Sequence, residues 1–131
     1  LPKIAPNHVK RVKQLVKDGF YDGIIFHRVI KGFMAQTGDP DGVGTGGSGK
    51  NLKAEFSDYE YKYGTVGMAR SMSPDSGDSQ FFICFDGCSH LTGQYTVWGQ
   101  VVSGMDAVEK LEIGEPPSNP DKMVSVRLGK K

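Results

Sequence analysis

The most constraining feature of the chain is the apolar run Ile-Ile-Phe-His-Arg-Val-Ile at residues 24–30, which contains Arg28. The β-branched and aromatic residues of this run predict a strand, and alternate side chains of a strand lie on the same face. Arg28 therefore shares a face with Ile24, Phe26 and Ile30. Because a buried guanidinium is costly unless something pairs with it, the pattern indicates that Arg28 borders a binding pocket. The alternative is an edge-strand arginine that extends over apolar side chains to reach water.

A second cluster of residues favours the pocket over this alternative. Phe33 and Met34 follow the arginine-bearing strand and precede Gln36, so that two large apolar groups are joined by an amide. The segment Ser-Gln-Phe-Phe at residues 79–82 offers another amide and further aromatic rings after a polar loop. A cation, an apolar shelf and two amides are the components of a site that binds a partly polar ligand.

Length and composition indicate one soluble globular domain over residues 1–131. The 131 residues suit a single domain, and 37% hydrophobic with 24% charged residues is typical of a globular protein. The net charge of +1 gives no electrostatic reason to expect nucleic acid or an acidic membrane as partner. No apolar run is long enough to span a bilayer, and no signal peptide is visible at Leu1. We therefore expect a cytoplasmic monomer.

The pattern of residues along the chain predicts a mainly β fold. We expect a first helix over residues 6–18, stopped by Gly19, and a second from a capping box at residues 103–106 to about Leu111. Strands are expected at residues 24–30, 33–36, 65–69, 80–85, 95–102 and 124–128. Residues 37–51 are rich in glycine and predict a long irregular loop. These elements indicate an antiparallel β-barrel or sandwich with helices at its ends.

Two short motifs allow functional interpretations that the sequence does not favour. The loop at residues 44–51 approaches a phosphate-binding P-loop, but Asn51 stands where Ser or Thr is needed, so a structural loop is the better interpretation. Cys84, Cys88 and His90 could contribute to a metal site, but a fourth ligand is lacking. A disulfide between the two cysteines is possible, and buried free thiols are the favoured expectation.

Several segments together resemble the cyclophilin family of peptidyl-prolyl cis-trans isomerases, in its bacterial single-domain form. Residues 26–39, Phe-His-Arg-Val-Ile-Lys-Gly-Phe-Met-Ala-Gln-Thr-Gly-Asp, resemble the signature of that family. Further matching segments follow in order at residues 44–47, 68–70, 79–83 and 93–99. The resemblance implies a cyclophilin-like antiparallel barrel with two capping helices, an isomerase that accelerates rotation about X-Pro bonds and assists folding, and no cofactor or metal.

The resemblance also implies the roles of individual residues. Arg28 corresponds to the catalytic arginine of the family. The residues expected to receive the proline ring are Phe33, Met34, Phe82 and Leu91. Gln36 and Gln80 are expected to hold the substrate backbone. The groove for residues before proline is expected to include the main chain of Arg70, with Ala69, Ser71 and Gly44 beside it.

The chain departs from the family pattern at two positions of the expected site. His90 stands where the best-known eukaryotic members have a tryptophan that binds cyclosporin, and Tyr95 stands where they have a histidine. Both changes are compatible with isomerisation because neither residue need take part in the chemistry. They predict weak binding of cyclosporin.

The segment before the first helix differs from the family pattern. Members of the family begin with two strands that this chain lacks, which leaves about six strands where the family barrel has eight. We therefore expect the single domain at residues 1–131 to be incomplete at its N-terminus. A shortened barrel exposes strand edges and could hold Arg28 less firmly. The alternatives to an active isomerase are therefore a proline-peptide binding or chaperone module with weak catalysis, and a fragment without independent function.

Overall fold

A computed structural model describes residues 1–129, and it contains one antiparallel sheet with two helices. The elements are α1 (Pro6–Lys17), β1 (Arg28–Ile30), β2 (Met34–Thr37), β3 (Thr65–Met68), β4 (Phe81–Cys84), a 3-10 helix (Ser89–Leu91), β5 (Val97–Gln100) and α2 (Met105–Glu109). The strands are ordered β1-β2-β4-β3-β5. The mainly β class with two helices is confirmed, with five strands in the described part of the chain instead of about six.

Helix α1 forms as its sequence predicts. Pro6 lies in the first turn, where its missing N–H removes no helical hydrogen bond. Val12, Leu15 and Val16 form the buried stripe. Gly19 follows the helix with φ +71°, a conformation in which a residue without a Cβ is favoured. None of the helices within residues 1–129 has the length and apolar character needed to cross a membrane.

The register of three strands decides where the site lies. In β1 and β2 Arg28 is directly opposite Gln36, and in β2 and β4 Gln36 is directly opposite Phe82. In β3, Gly67 is opposite Phe82. Since directly opposite residues in antiparallel strands project from the same face, Arg28, Gln36 and Phe82 form one row of side chains across the sheet. Gln36 and Phe82, which are far apart in the sequence, are thereby direct neighbours.

The strand predicted at residues 24–30 is shorter in the structure, and the strand predicted at residues 124–128 is wrong. Ile25 forms only an isolated bridge with Lys122, so β1 begins at Arg28. Val124 is 81% exposed and lies outside regular structure. The alternation of Val124, Val126 and Leu128 is therefore not the alternation of a strand, because the pairing of this segment with the chain around Ile25 ends before it.

The capping box predicted before α2 is also wrong. Gly104, with φ +91°, is the residue that precedes the helix, and no side chain caps its N-terminus. The helix ends at Glu109, two residues before the predicted Leu111. A left-handed glycine turns the chain into the helix here, so Ser103 and Asp106 are not placed to exchange the hydrogen bonds of a capping box.

Cys84 and Cys88 form a disulfide, so the expectation of free thiols is wrong. Both residues are fully buried, and they belong to the apolar cluster that also contains Met34, Tyr61 and Phe82. The turn after β4 brings Cys88 back over the end of the strand, a proximity that the sequence spacing permits but does not require. With both sulfurs bonded, the cysteines are not ligands of a metal, and no cluster of metal-binding side chains occurs within residues 1–129.

Gly67 offers a test of the packing beneath the row of site residues. A Cβ at this position would lie 2.7 Å from the Phe82 ring and closer still to the Tyr61 hydroxyl, so one of these rings must move. We expect Gly67→Ala to lower the free energy of unfolding by about 1–3 kcal/mol, measured by urea denaturation. Gly99→Ala in β5 is the control, because its Cβ would meet Val66 at an ordinary 3.4 Å. Equal stability of the two variants would contradict this account of the packing.

Candidate active site

A small apolar pocket lies directly beside Arg28. Its cavity is about 140 Å³, a size suited to one small ring. The lining residues are Arg28, Phe33, Met34, Gln36, Ala69, Arg70, Phe82, Leu91 and Tyr95. Met34 and Phe82 are buried and provide apolar surface, while the guanidinium of Arg28 stands at the border. The structure thus brings together the arginine and all four residues that the sequence assigned to the proline ring.

The Phe82 ring is held in place by two tyrosines. Tyr61 stacks on it with ring centres 5.7 Å apart, and Tyr95 meets it edge-to-face at 5.8 Å. The Tyr61 hydroxyl donates a hydrogen bond to the Tyr95 carbonyl oxygen at 2.9 Å. Burial, and then the neighbouring Tyr95, raise the pKa of Tyr61, which therefore keeps its proton. A phenol that stays neutral can hold this bond over the whole physiological pH range.

Tyr61 is a residue of the site that sequence reasoning missed. It is only 2% exposed, yet it lies in a segment without regular structure. The stretch Tyr-Glu-Tyr-Lys-Tyr at residues 59–63 alternates, but Tyr63 is exposed, so the pattern does not single out one ring. Only the absence of a side chain at Gly67 opens the space that Tyr61 fills.

The two amides predicted to bind the substrate backbone are linked to each other. Gln36 Nε2 donates to Gln80 Oε1 at 2.9 Å, and Gln80 Nε2 donates to the Gly46 carbonyl oxygen at 2.9 Å. This chain of bonds fixes the orientation of both amides. Within residues 1–129 no further hydrogen bond engages the side-chain oxygen of Gln36, which can accept one from a ligand.

A larger groove, of about 470 Å³, joins the pocket at Gln36, Ala69 and Arg70. It contains all the residues that the sequence assigned to the adjoining groove, namely Gly44, Ala69, Arg70 and Ser71, together with Gln80. The guanidinium of Arg70 lies over the Tyr95 ring at 4.4 Å and donates to the Gln94 carbonyl oxygen. These contacts hold the junction between the groove and the pocket in a defined shape.

The glycine-rich loop beside this groove is organised by one buried carboxylate. Asp39 is 1% exposed and accepts hydrogen bonds from the backbone N–H groups of Asp41, Val43 and Gly44. Burial acts to raise the pKa of Asp39, but the backbone donors outweigh it and lower the pKa below its ordinary value. The start of the glycine-rich loop, residues 39–44, is therefore built around an internal carboxylate.

The two residues that depart from the family pattern differ in their position relative to the pocket. Tyr95 lines the pocket, whereas His90 is exposed and stacks on Phe33 with ring centres 5.7 Å apart. His90 therefore supports the pocket wall from outside and does not line the cavity itself. An imidazole offers less apolar area at this rim than an indole would.

The Arg28 side chain makes one hydrogen bond within the described residues. Its Nε donates to Glu115 Oε1 at 2.7 Å, and the arginine and glutamate side chains are 42% and 56% exposed. The expectation that something pairs with Arg28 is thus met by a residue from a distant loop. Sequence reasoning did not identify Glu115, because nothing in the stretch Gly-Glu-Pro-Pro marks it as a neighbour of β1.

His27 directly precedes β1 and is buried. It is 6% exposed, and neither ring nitrogen has a hydrogen-bond partner within residues 1–129. Burial lowers the pKa of His27, Asp39 acts against this, and the charge of Arg28 adds to the lowering. His27 is therefore neutral at pH 7, and Arg28 is the cation nearest the pocket in this strand.

The matched family model covers nearly the whole chain. A model described as cyclophilin type peptidyl-prolyl cis-trans isomerase/CLD matches residues 1–128. A probable peptidyl-prolyl cis-trans isomerase of Brucella abortus (strain 2308) is 51% identical over 144 residues, covering 97% of this chain and 74% of that protein.

Solved structures of cyclophilins have folds similar to that of this chain. The crystal structure of a Cryptosporidium parvum cyclophilin type peptidyl-prolyl cis-trans isomerase, in the presence of the dipeptide Ala-Pro, has a TM-score of 0.91 at 28% identity, over 99% of this chain and 89% of that one. Cyclophilin AquaCyp293 from Hirschia baltica has a TM-score of 0.85 at 31% identity, over 95% of this chain. The present chain spans 66% of the AquaCyp293 chain.

The fold and the site define an enzyme of the mainly β class, with an arginine beside a ring-sized apolar pocket. The chain belongs to the cyclophilin-type peptidyl-prolyl cis-trans isomerases, and its function is the isomerisation of X-Pro bonds.

The buried neutral state of His27 predicts a dependence of stability on pH. Its folded-state pKa lies below the ordinary 6.5, so the unfolded chain binds a proton more readily. The free energy of unfolding should therefore fall as the pH drops through 6.5 and level off below the folded-state pKa. Urea unfolding of the parent and of His27→Gln between pH 8 and pH 5 measures this effect.

The variant cannot take up this proton, so its stability should depend less on pH over the same interval. The pKa values of Asp39 and Glu55 are lowered, and their contributions are lost only at more acidic pH. Identical slopes for parent and variant would contradict the burial of a neutral His27.

Proposed function

We propose that Arg28 is the catalytic residue and that it stabilises the twisted X-Pro bond through the proline nitrogen. The proline ring of the substrate occupies the pocket formed by Phe33, Met34, Phe82 and Leu91. The observation that supports this most directly is the register of β1, β2 and β4, which sets Arg28 and Phe82 on one face with Gln36 between them.

The chemistry of the peptide bond explains why an arginine suits this reaction. Amide resonance sets a barrier of about 18–20 kcal/mol to rotation about the C–N bond. Twisting the bond localises a lone pair on the proline nitrogen, which becomes a better hydrogen-bond acceptor than in the planar amide. A guanidinium donor therefore binds the twisted state more strongly than the ground state, which is the requirement for catalysis. Arginine keeps its charge at any physiological pH, and no proton transfer is needed.

The remaining residues of the site hold the substrate while the bond rotates. The apolar pocket grips the ring, and Gln36 and Gln80 bind the backbone beside it. Residues before proline lie along Gly44, Ala69, Arg70 and Ser71, where the larger groove meets the pocket. Fixing one side of the bond lets the other side turn without loss of the complex.

The substrates in this proposal are flexible, proline-containing segments of other proteins, because the site is an open groove. The presence of Ala-Pro in the Cryptosporidium parvum cyclophilin structure supports a proline peptide as ligand. By accelerating a step that takes tens to hundreds of seconds uncatalysed, the enzyme assists protein folding.

Two further expectations belong to this proposal. We expect the protein to act as a monomer, which sedimentation would test. A cytoplasmic location remains a prediction from composition, and the Cys84–Cys88 disulfide does not support it, because disulfides persist in oxidising compartments. Cell fractionation would decide the location.

Replacement of Arg28 tests the catalytic assignment. We expect Arg28→Ala to reduce kcat/KM on an Ala-Pro peptide by about 10²–10³-fold, because a donor aimed at the developing lone pair is lost. Peptide affinity should change by less than about threefold, or under 1 kcal/mol, because the apolar pocket is intact. Exchange spectroscopy by NMR measures the rate of isomerisation and the affinity in one experiment.

Arg127→Ala is the matched control for this experiment. Arg127 is an exposed arginine paired with Asp22, and it lines neither the pocket nor the adjoining groove. Equal acceleration by the parent and by Arg28→Ala would overturn the assignment. Peptide binding by the parent without acceleration would instead support the alternative of a binding or chaperone module.

The rim residue His90 predicts the response to cyclosporin. We expect weak binding by the parent, and a gain of about tenfold or more in His90→Trp, because an indole adds apolar area beside Phe33. The measurement is the inhibition of isomerisation by increasing concentrations of cyclosporin. His90→Ala serves as the control and should show no gain. Tight binding by the parent would show that the residue at this rim does not limit affinity.

A further inference from the structure

We propose that Glu115 positions the guanidinium of Arg28 for catalysis, and that the segment at residues 112–118 is built to hold Glu115 there. The inference rests on the proposed role of Arg28 and adds a residue from a loop that does not line the proline pocket. Glu115 touches the catalytic group without touching the reacting atoms, so it is a positioning residue.

The hydrogen bond from Arg28 Nε to Glu115 is the basis of the proposal. At 2.7 Å it has the length of a charge-assisted bond, and within residues 1–129 it is the one hydrogen bond that the guanidinium makes. A half-exposed arginine has several rotatable bonds, and an anchor at Nε restricts them. Because Nε is the inner nitrogen, both terminal nitrogens of the fork stay free to donate to a substrate.

The backbone beside Glu115 is fixed to the strand that carries Arg28. The Val29 N–H donates to the Gly114 carbonyl oxygen at 2.9 Å, and the Gly114 N–H donates to the Val29 carbonyl oxygen at 3.0 Å. The residues next to this reciprocal pair are Arg28 and Glu115. Two hydrogen bonds between neighbouring positions thus set the register in which the carboxylate meets the guanidinium.

The fold of the segment allows only glycine at the position before Glu115. A Cβ on Gly114 would lie 2.6 Å from the Pro117 Cα, which is a backbone atom and cannot turn aside. The Glu112 N–H donates to the Asp121 carboxylate at 2.9 Å, which fixes the start of the segment. The close folding of residues 114–117 therefore holds Glu115 at the edge of β1.

The contribution of this ion pair to stability is small, so an effect of Glu115 on the rate can be distinguished from an effect on folding. Pairs as exposed as Arg28 and Glu115 contribute about 0–1 kcal/mol. An ion pair that contributes so little to stability does not by itself explain why the segment at residues 112–118 holds Glu115 in a fixed position. The ion pair matters for the position of the guanidinium, since a displacement of about 1 Å at a reacting group can cost 10²-fold in rate.

Two variants at position 115 and one control variant test the proposal. We expect Glu115→Ala to lower kcat for an Ala-Pro peptide by about tenfold, with the dissociation constant of the peptide changed by less than about twofold. Glu115→Gln should recover part of the rate, because its side-chain oxygen can still accept from Arg28 Nε. Glu60→Gln is the control, since Glu60 is exposed and lines neither the pocket nor the adjoining groove.

A double-mutant cycle with Arg28→Ala decides whether Glu115 acts through the arginine. If it does, Glu115→Ala should cause no further loss of kcat in the Arg28→Ala background. Equal losses in both backgrounds, or an unchanged kcat in Glu115→Ala, would overturn the proposal. Thermal melts of all variants should agree within a few degrees, and rescue by Glu115→Gln distinguishes positioning from damage to the loop.

The outcomes for Glu115 and for Arg28 can be told apart. If Arg28→Ala isomerises the peptide as fast as the parent, the proposed function of Arg28 fails and the cycle has no coupling to measure. If Arg28→Ala is slow and Glu115→Ala is as fast as the parent, only the positioning role is wrong.

Discussion

The site depends on one structural constraint, the antiparallel register of β1, β2 and β4. It pairs Arg28 with Gln36 and Gln36 with Phe82, so that a cation, an amide and an aromatic ring form one row. A slip of one residue in either pairing would turn the partner side chain to the other face of the sheet. Gly67 completes the row by leaving room for Tyr61 against Phe82.

The titratable groups near Arg28 are neutral, engaged elsewhere or bound to its Nε. His27 is kept neutral by burial, and Asp39 is fully engaged by the backbone of the glycine-rich loop. Glu115 meets Arg28 from the side, through Nε. Within residues 1–129 the terminal nitrogens of Arg28 make no hydrogen bond, which suits an arginine whose proposed partner is a weak acceptor formed only in the twisted peptide bond.

Local sequence patterns correctly predicted the helices and strands that depend on contacts between residues close in sequence. They failed where pairing with a distant segment determines whether an element forms. The apolar stripe of α1 and the β-branched and aromatic residues of β3 and β4 were sufficient, since helix periodicity and strand propensity are local properties. The strand predicted at residues 124–128 failed because alternation occurs in exposed chain too, and within residues 1–129 no strand pairs with this segment. The capping box at residues 103–106 failed because the left-handed turn at Gly104 replaces side-chain capping.

The sequence by itself determined the family, the mainly β class and the residues that line the pocket, because these are encoded by residue types at characteristic spacings. Only the tertiary structure decided how Arg28 is held. Its partner Glu115 lies 87 positions away and reaches it through a backbone pairing between Val29 and Gly114. The structure likewise decided that Tyr61 supports Phe82 and that Cys84 bonds to Cys88. Such contacts depend on where the folded chain crosses itself, and a linear pattern of residue types does not specify that.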